Sequence, residues 1–359
     1  MKTLDRDDEF LISRMLFLLT YNTSCDFPSL VNNHGLADTM TRNLRHHSTA
    51  FSDSVRSKAR TSPIEDMAMI ETLKLVFNIT YYHPDLTSRF TPAIEPLISL
   101  ILNHPLPTKP LQPPITYMLN ALMNLDLEAT EGGSTSGGEA SSGLLFPYAD
   151  PESVLHRLTS IFSQAIREHQ VRELDEAAAS LCTILRRAYE LADSDMKLWM
   201  QRTLLPNDAD RSKPLGQGDT LSARLLQLSI SPNLPTLREN IANLLFELSD
   251  KDPNKLIENI GYGYASGFLT SHNITIPANA MKSDQSVTKK GADVNPVTGQ
   301  RRSAEEQERP QTDDMTEEEK EREAERLYVL FERLRATGVV NVKNPVQQAI
   351  DEGRFEELD

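Results

Sequence analysis

The chain has 359 residues, of which 39% are hydrophobic, so it can form one elongated domain or two compact ones with a substantial core. Its 37 Lys and Arg residues face 52 Asp and Glu residues, and the net charge of -15 repels polyphosphates and anionic lipid headgroups. Nucleic acid is therefore not the expected partner. The two cysteines, Cys25 and Cys182, are predicted to be buried thiols in a reducing compartment. Acidic residues near the N-terminus and the lack of a run of about eighteen apolar residues exclude a secretory signal and a membrane span, so we expect a cytoplasmic protein.

Apolar residues recur mostly three and four positions apart, whereas the alternation typical of strands is scarce. The sequence therefore predicts an all-α protein. Helix starts are well marked, because Ser62-Pro63-Ile64-Glu65 combines a capping box with a proline at the first helical position. Asp150-Pro151 and Asp252-Pro253 each supply a cap and a proline. The predicted helices, in chain order, cover about 5–22, 29–45, 63–82, 92–103, 113–127, 151–169, 172–192, 194–204, 219–230, 234–249 and 253–270.

Short helices in series favour a helical-repeat superhelix of the armadillo or HEAT-like type. A weak internal repeat supports this, since three apolar helix ends each contain an asparagine, at Asn78, Asn124 and Asn243. In such a stack these side chains could line a concave groove and bind the backbone of a ligand through both their donor and their acceptor groups. Alternatively, each asparagine caps the C-terminus of its own helix. The residues alone favour neither reading.

Changes in composition divide the chain into three parts. The helical repeats are predicted over 1–275, with flexible, solvent-exposed insertions near 129–149, rich in Gly and Ser, and near 206–219, rich in polar residues, Pro and Gly. From 276 to 314 the apolar periodicity is lost, which predicts a disordered linker. A helical tail is then predicted over 315–359.

The tail begins with a capping box formed by Thr316 and Glu319, and an apolar stripe for docking follows at Leu327, Leu330, Phe331 and Leu334. This amphipathic helix could pack on its own repeats or on a partner, and the periodicity does not decide between them. Ser303 and Thr316 each precede an acidic residue by three positions, which makes both candidates for phosphorylation. For Thr316 an unmodified helix cap is the simpler interpretation.

Motifs for enzyme chemistry are lacking, since the chain has no His-Glu-x-x-His, phosphate-binding loop, Gly-x-Ser-x-Gly or Cys-x-x-Cys. The adjacent His46 and His47 point about 100° apart on a helix and are interpreted as a solvated pair. Gly261-Tyr262-Gly263 lacks a third glycine at dinucleotide-binding spacing, and its small residues are predicted to let a neighbouring helix approach closely. Carboxylates are expected on solvated helix faces. We therefore predict a binding protein, not an enzyme, with no catalytic, metal or cofactor site.

Three blocks in the last third of the chain carry a resemblance to a known family. They are Gly261-Tyr262-Gly263-Tyr264-Ala265-Ser266-Gly267-Phe268-Leu269, Asn295-Pro296-Val297-Thr298-Gly299 and Met315-Thr316-Glu317-Glu318-Glu319-Lys320. In this order they resemble the C-terminal part of the synembryn family, and weaker similarity begins near Phe10. The resemblance implies an armadillo/HEAT-like superhelix that takes the C-terminal helix of a heterotrimeric G-protein α subunit (Gα) in its groove, while the tail reaches the nucleotide domain of Gα.

The resemblance implies that the protein is a guanine nucleotide exchange factor and folding chaperone in G-protein signalling. Such a protein is a monomer without a cofactor, binds GDP-bound, nucleotide-free or nascent Gα, and reaches the cell cortex or plasma membrane only through Gα. The family's members carry helices before the position that matches Asp7, so a fungal-type member with a shortened N-terminus is expected. The alternative is a generic armadillo-type adaptor that binds peptides without exchange activity.

Overall fold

The computed structural model describes residues 5–21, 24–57, 62–128, 145–147, 149–275 and 294–308, together with positions 322, 326, 328 and 329. The chain divides into two compact units, residues 1–304 and residues 305–359, and almost all described residues belong to the first. Every regular element in the described residues is helical, apart from an isolated bridge between Val294 and Arg301. The all-α prediction is confirmed.

Fifteen helices are assigned in the described part of the chain. The first seven are α1 (Arg6–Leu19), α2 (Phe27–His34), α3 (Leu36–Ser57), α4 (Pro63–Tyr82), α5 (Ile94–Asn103), α6 (Ile115–Asn124) and α7 (Ser153–Glu168). The next eight are α8 (Val171–Ala177), α9 (Ala179–Leu191), α10 (Ser194–Leu204), α11 (Leu221–Ser229), α12 (Pro235–Leu248), α13 (Pro253–Ile260), α14 (Tyr262–Ser271) and α15 (Arg302–Glu308). Two 3-10 segments, Pro84–Ala93 and Asp210–Ser212, lie between them.

Local signals place several helix ends correctly. The bounds of α4 and α10 are those predicted, and the Ser62 capping box is present, with Ser62 N–H donating to Glu65 Oε2 at 3.0 Å. Three predicted long helices are each divided in two. Gly35 (φ +66°) separates α2 from α3, and Gly261 (φ +78°) separates α13 from α14, because glycine adopts left-handed backbone angles at little cost. A break at Ala178 separates α8 from α9.

The helices of the first unit form two packed layers, as expected of helical repeats. Five of them lie side by side in the order α1, α4, α6, α9 and α12, and we call this layer the helix row. Behind it α3 packs against α4, α5 against α6, and α7 against α9. Leu73, Leu119, Leu185 and Leu244 in the row are fully buried between the layers. The core is therefore continuous along the row.

Two segments predicted to be loose are packed on the helices. Residues 206–219 were expected to form a solvent-exposed insertion, yet Leu215 and Gly216 in this segment are buried. Residues 294–308 were assigned to the disordered linker, but they fold into a loop and α15, and Gln300 is only 3% exposed. Polar composition did not predict this packing because backbone carbonyls of these segments accept several of the hydrogen bonds described below.

Helix α1 packs with its polar side inward. Glu9 is 1% exposed and Ser13 is 5% exposed, although carboxylates were predicted to be solvated. Leu11, Met15 and Leu18 on the other side are more than half exposed. Polar hydrogen bonds therefore hold this helix on α4 in addition to the partly buried Leu16 and Phe17. No helix in the described ranges combines the length and apolar character needed to cross a membrane.

Candidate functional site

Asn78 lies inside the helix row, where it joins two helices. Its side chain is 4% exposed, and its amide nitrogen donates to Thr20 Oγ1 at the end of α1, at 2.7 Å. Of the two readings left open by the sequence, capping of its own helix is not what the amide of Asn78 does, because it bonds a residue at the end of α1. The buried amide keeps the ends of α1 and α4 together.

The other two predicted asparagines have different surroundings. The half-buried Asn124 donates to the backbone oxygen of Phe77 at 3.3 Å, which joins α6 to α4 beside Asn78. Asn243 is also half-buried, and it donates to the oxygen of Glu239, one turn earlier in α12, at 2.9 Å. The structure thus brings Asn78 and Asn124 together and leaves Asn243 farther along the row, where it bonds Glu239 of its own helix.

An aromatic cluster lies at the C-terminal ends of α1 and α4, next to these amides. It consists of the half-buried Phe17 and Phe77 and the exposed Tyr21, Tyr81 and Tyr82. Phe77 and Tyr81 are stacked with their ring centroids 5.8 Å apart, and Tyr81 is 62% exposed. Aromatic side chains left in solvent and already in contact with one another are typical of binding surfaces. The sequence signal was the spacing of Phe77 and Tyr81, four residues apart, which places both on one side of α4.

A lysine lies beside the aromatic cluster. Lys74 Nζ is 5.5 Å from the ring centroid of Phe17 and 5.2 Å from that of Tyr117 on α6. The same ammonium donates to Glu71 Oε1 at 2.7 Å, and Arg14 donates to that oxygen at 3.0 Å. The carboxylate and the rings hold the cation in place. Positive charge is therefore fixed next to exposed aromatic surface.

The far end of the helix row has a second, smaller set of aromatic side chains. Phe246 on α12 and Phe268 on α14 have ring centroids 5.3 Å apart, and His272 lies 4.2 Å beyond Phe268. A cleft of about 420 Å³ between α11, α12 and α14 is lined in part by Phe268 and the half-exposed Ile230.

Arg187 on α9 lies between the two ends of the helix row. Its guanidinium donates to Met123 O at 2.7 Å, and burial lowers its pKa.

The histidine pair is not solvated as predicted. His46 is exposed, but His47 is 5% exposed and its Nε2 lies 3.0 Å from Glu9 Oε1. Partial shielding of the His46 ring from solvent by its neighbours lowers the pKa of its imidazole, and the nearby Arg6 adds to this effect. In the described ranges no three His, Cys, Asp or Glu side chains are grouped so that they could hold a metal ion. Burial of Cys182 is as predicted, whereas Cys25 is only half-buried.

The start of the glycine-rich block receives a loop, while α14 itself packs against α13. Gly263 N–H donates to Val297 O at 2.9 Å, and Tyr262 N–H donates to Pro296 O at 2.8 Å, so the loop binds the first turn of α14. A Cβ atom on Gly261 would lie 2.8 Å from the backbone nitrogen of Gly299. The sequence analysis did not predict this contact, in which two blocks far apart in sequence fit against each other through their backbones.

Ser303 is exposed in the first turn of α15. Thr316 and the docking stripe, Leu327, Leu330, Phe331 and Leu334, lie outside the described residues. Tyr328 and Val329 within the stripe region are described, and both are exposed.

A family model described as the guanine nucleotide exchange factor synembryn matches residues 1–354. The chain belongs to the synembryn family. It is 30% identical over 172 residues to a synembryn-like chaperone of Schizosaccharomyces pombe, covering 44% of this chain and 32% of that protein. It is 30% identical over 207 residues to the chaperone Ric-8 of Drosophila melanogaster, covering 50% and 35%. It is 26% identical over 287 residues to the chaperone Ric-8A of Xenopus laevis, covering 75% and 51%.

This synembryn spans about a third to a half of the length of these relatives. Their names describe chaperones, and the family description adds nucleotide exchange. The two blocks that meet at Gly261 and Gly299 are among those that carried the resemblance, so the structure gives them a common local role.

Proposed function

We propose that this synembryn is a guanine nucleotide exchange factor and folding chaperone for Gα subunits, acting by binding alone. The observation that carries the proposal is the family match over residues 1–354, whose description names exchange activity. The chaperone names of the fungal and animal relatives support the folding role. The protein acts as a monomer in the cytoplasm and reaches the cell cortex or plasma membrane through Gα.

The C-terminal helix of Gα binds the exposed side of the helix row. Support comes from the aromatic cluster around Tyr81 and from the fixed charge of Lys74, because exposed aromatic and cationic groups contribute most of the energy of many interfaces. Asn243 offers its half-exposed amide to the bound segment. Asn78 and Asn124 act indirectly, by holding α1, α4 and α6 in register.

Exchange follows from preferential binding. A protein that binds nucleotide-free Gα more tightly than GDP-bound Gα weakens GDP binding by the same free energy. A preference of about 4 kcal/mol corresponds to roughly a thousandfold change in GDP affinity. The stripe Leu327, Leu330, Phe331 and Leu334 contacts the nucleotide domain of Gα and adds to this preference, whereas the helix row holds the terminal helix.

Two measurements test the proposal. GDP release from GDP-loaded Gα subunits of several classes is followed with and without the chain, and binding of a fluorescent Gα C-terminal peptide is followed by anisotropy. Tyr81→Ala and Asn243→Ala are expected to weaken peptide binding by about 1–3 kcal/mol, through lost ring contacts and a lost amide partner. Leu198→Ala, which changes an exposed side chain on α10 outside the row, is the control.

Asn78→Ala is expected instead to lower thermal stability, because its buried amide bond is lost. Failure of the wild-type chain both to bind the peptide and to accelerate GDP release refutes the proposal. Peptide binding without any change in GDP release identifies a generic adaptor. Substituting Leu330 and Phe331 by Asp should reduce exchange and leave peptide binding intact.

A further inference from the structure

The loop 294–301 is a built part of the first unit. It closes on itself through an antiparallel bridge between Val294 and Arg301, and Gly299 N–H donates to Asn295 O at 2.8 Å. Its backbone oxygens also accept hydrogen bonds from the N–H groups of Tyr262 and Gly263 at the start of α14. The loop therefore completes the end of the helical repeats before the chain continues into the tail.

One arginine holds this loop in place. The guanidinium of Arg211 donates to Gly299 O at 2.7 Å, to Asn259 O at 2.7 Å and to Glu258 O at 3.1 Å. The backbone oxygen of Arg211 accepts from Arg301 N–H at 2.9 Å. The backbone oxygens of Glu258 and Asn259 lie at the C-terminal end of α13, where carbonyl groups lack partners within the helix and favour a nearby cation. Arg211 thus joins α13 to the loop, and we call this arrangement the clasp.

The segment that carries Arg211 is itself firmly held. Asp210 accepts from the hydroxyl groups of Thr220 at 2.8 Å and Ser222 at 2.9 Å, at the start of α11. The hydroxyl of Tyr264 on α14 donates to Leu215 O at 2.7 Å. These bonds hold the backbone on both sides of Arg211 against α11 and α14.

We propose that Arg211 is a positioning residue for nucleotide exchange: by holding the loop, it fixes the point from which the tail leaves the repeats. The inference rests on the function proposed above. With the loop held, 25 positions of the sequence lie between Arg301 and the stripe that begins at Leu327, whereas with the loop released 51 positions lie between Thr275 and Leu327. A longer connection lowers the effective concentration of the stripe at a bound Gα, and the −3/2 power of the ratio of the two lengths gives an expected loss of about threefold.

The test uses the full chain with Arg211→Ala, Arg211→Lys and Arg224→Ala. Arg224 lies in the next helix and pairs with the exposed Asp219, so its loss is the matched control. In Arg211→Ala the GDP release rate at subsaturating protein is expected to fall about threefold, and peptide affinity to stay within about twofold of wild type. Arg211→Lys should recover part of the rate, because one ammonium can replace only part of a planar fork of donors.

Hydrogen exchange measured by mass spectrometry reports the clasp directly. The amides of Tyr262 and Gly263 donate to the loop and should exchange faster in Arg211→Ala but not in Arg224→Ala. Unchanged protection of these amides, or an unchanged release rate in an active protein, overturns the inference. A wild-type chain without exchange activity refutes the proposed function itself, and unaltered peptide binding excludes general unfolding as the cause of a lower rate.

Discussion

Replacing Glu9 by Leu should destabilise the first unit through the loss of one buried carboxylate. Glu9 Oε1 lies 3.0 Å from His47 Nε2 and accepts from Thr72 Oγ1 at 2.9 Å, and its other oxygen pairs with Arg6. Removing one partner of a buried charged pair costs about 3–5 kcal/mol, because the remaining polar group loses its acceptor. We expect the lower end, about 3 kcal/mol, since Thr72 still bonds Ser13 and Arg6 can turn to solvent.

Thermal unfolding followed by circular dichroism measures this effect. A unit of this size changes its Tm by about 2 °C per kcal/mol, so a loss of about 6 °C is expected for Glu9→Leu. The double variant Glu9→Leu with His47→Leu should regain much of the loss, because apolar replacement of both members leaves no unpaired group. Asp8→Asn, on the exposed side of the same helix, should stay within about 1 °C of wild type.

The pH dependence gives a second readout. Burial by itself raises the pKa of Glu9, but hydrogen bonds from His47 and Thr72 and the charge of Arg6 outweigh it, so the pKa lies below its ordinary value of 4.5. The carboxylate therefore contributes stability above that value, and the contribution is lost as the pH falls through the folded-state pKa. The difference between wild type and Glu9→Leu should shrink as the pH falls below 4.5. A Tm loss no larger than that of Asp8→Asn, or a further loss on adding His47→Leu, would refute the reasoning.

Two further predictions concern the glycines of α14 and the cysteines. Gly261→Ala should cost at least about 2 kcal/mol, because φ is +78° and the new Cβ meets backbone atoms of the loop at 2.8 Å, whereas Gly267→Ala, with nothing within 4 Å, should stabilise by roughly 0.5–1 kcal/mol in the same denaturant titration. Equal effects of the two substitutions would contradict the proposed fit. Burial raises the pKa of the Cys182 thiol to about 12. Iodoacetamide at pH 8 should therefore label Cys25 alone in the native chain and both cysteines in denaturant. Labelling of Cys182 in the native chain would contradict this prediction.

The sequence determined the elements whose signals are local. The start of α4 follows from Ser62 and Glu65, which bond each other within one turn, so their roles do not depend on the rest of the fold. The all-α class follows from apolar spacing summed over many helices. Family membership could also be predicted from the sequence, because three sequence blocks in a fixed order are specific to the family and need no knowledge of their contacts.

Only the tertiary structure decided which polar groups are inside and what they hold. Asn78 was singled out by its place in an apolar helix end, but its partner Thr20 lies 58 residues away, beyond the reach of any periodicity. Glu9 is one of the carboxylates that were expected on solvated helix faces, and Arg211 lies in a segment that was expected to be solvent-exposed. Composition cannot show that His47 or the end of α13 supplies their partners. Such groups become buried only when helices from distant parts of the chain pack together. The free energy of this packing depends on tertiary contacts, which the local sequence does not determine.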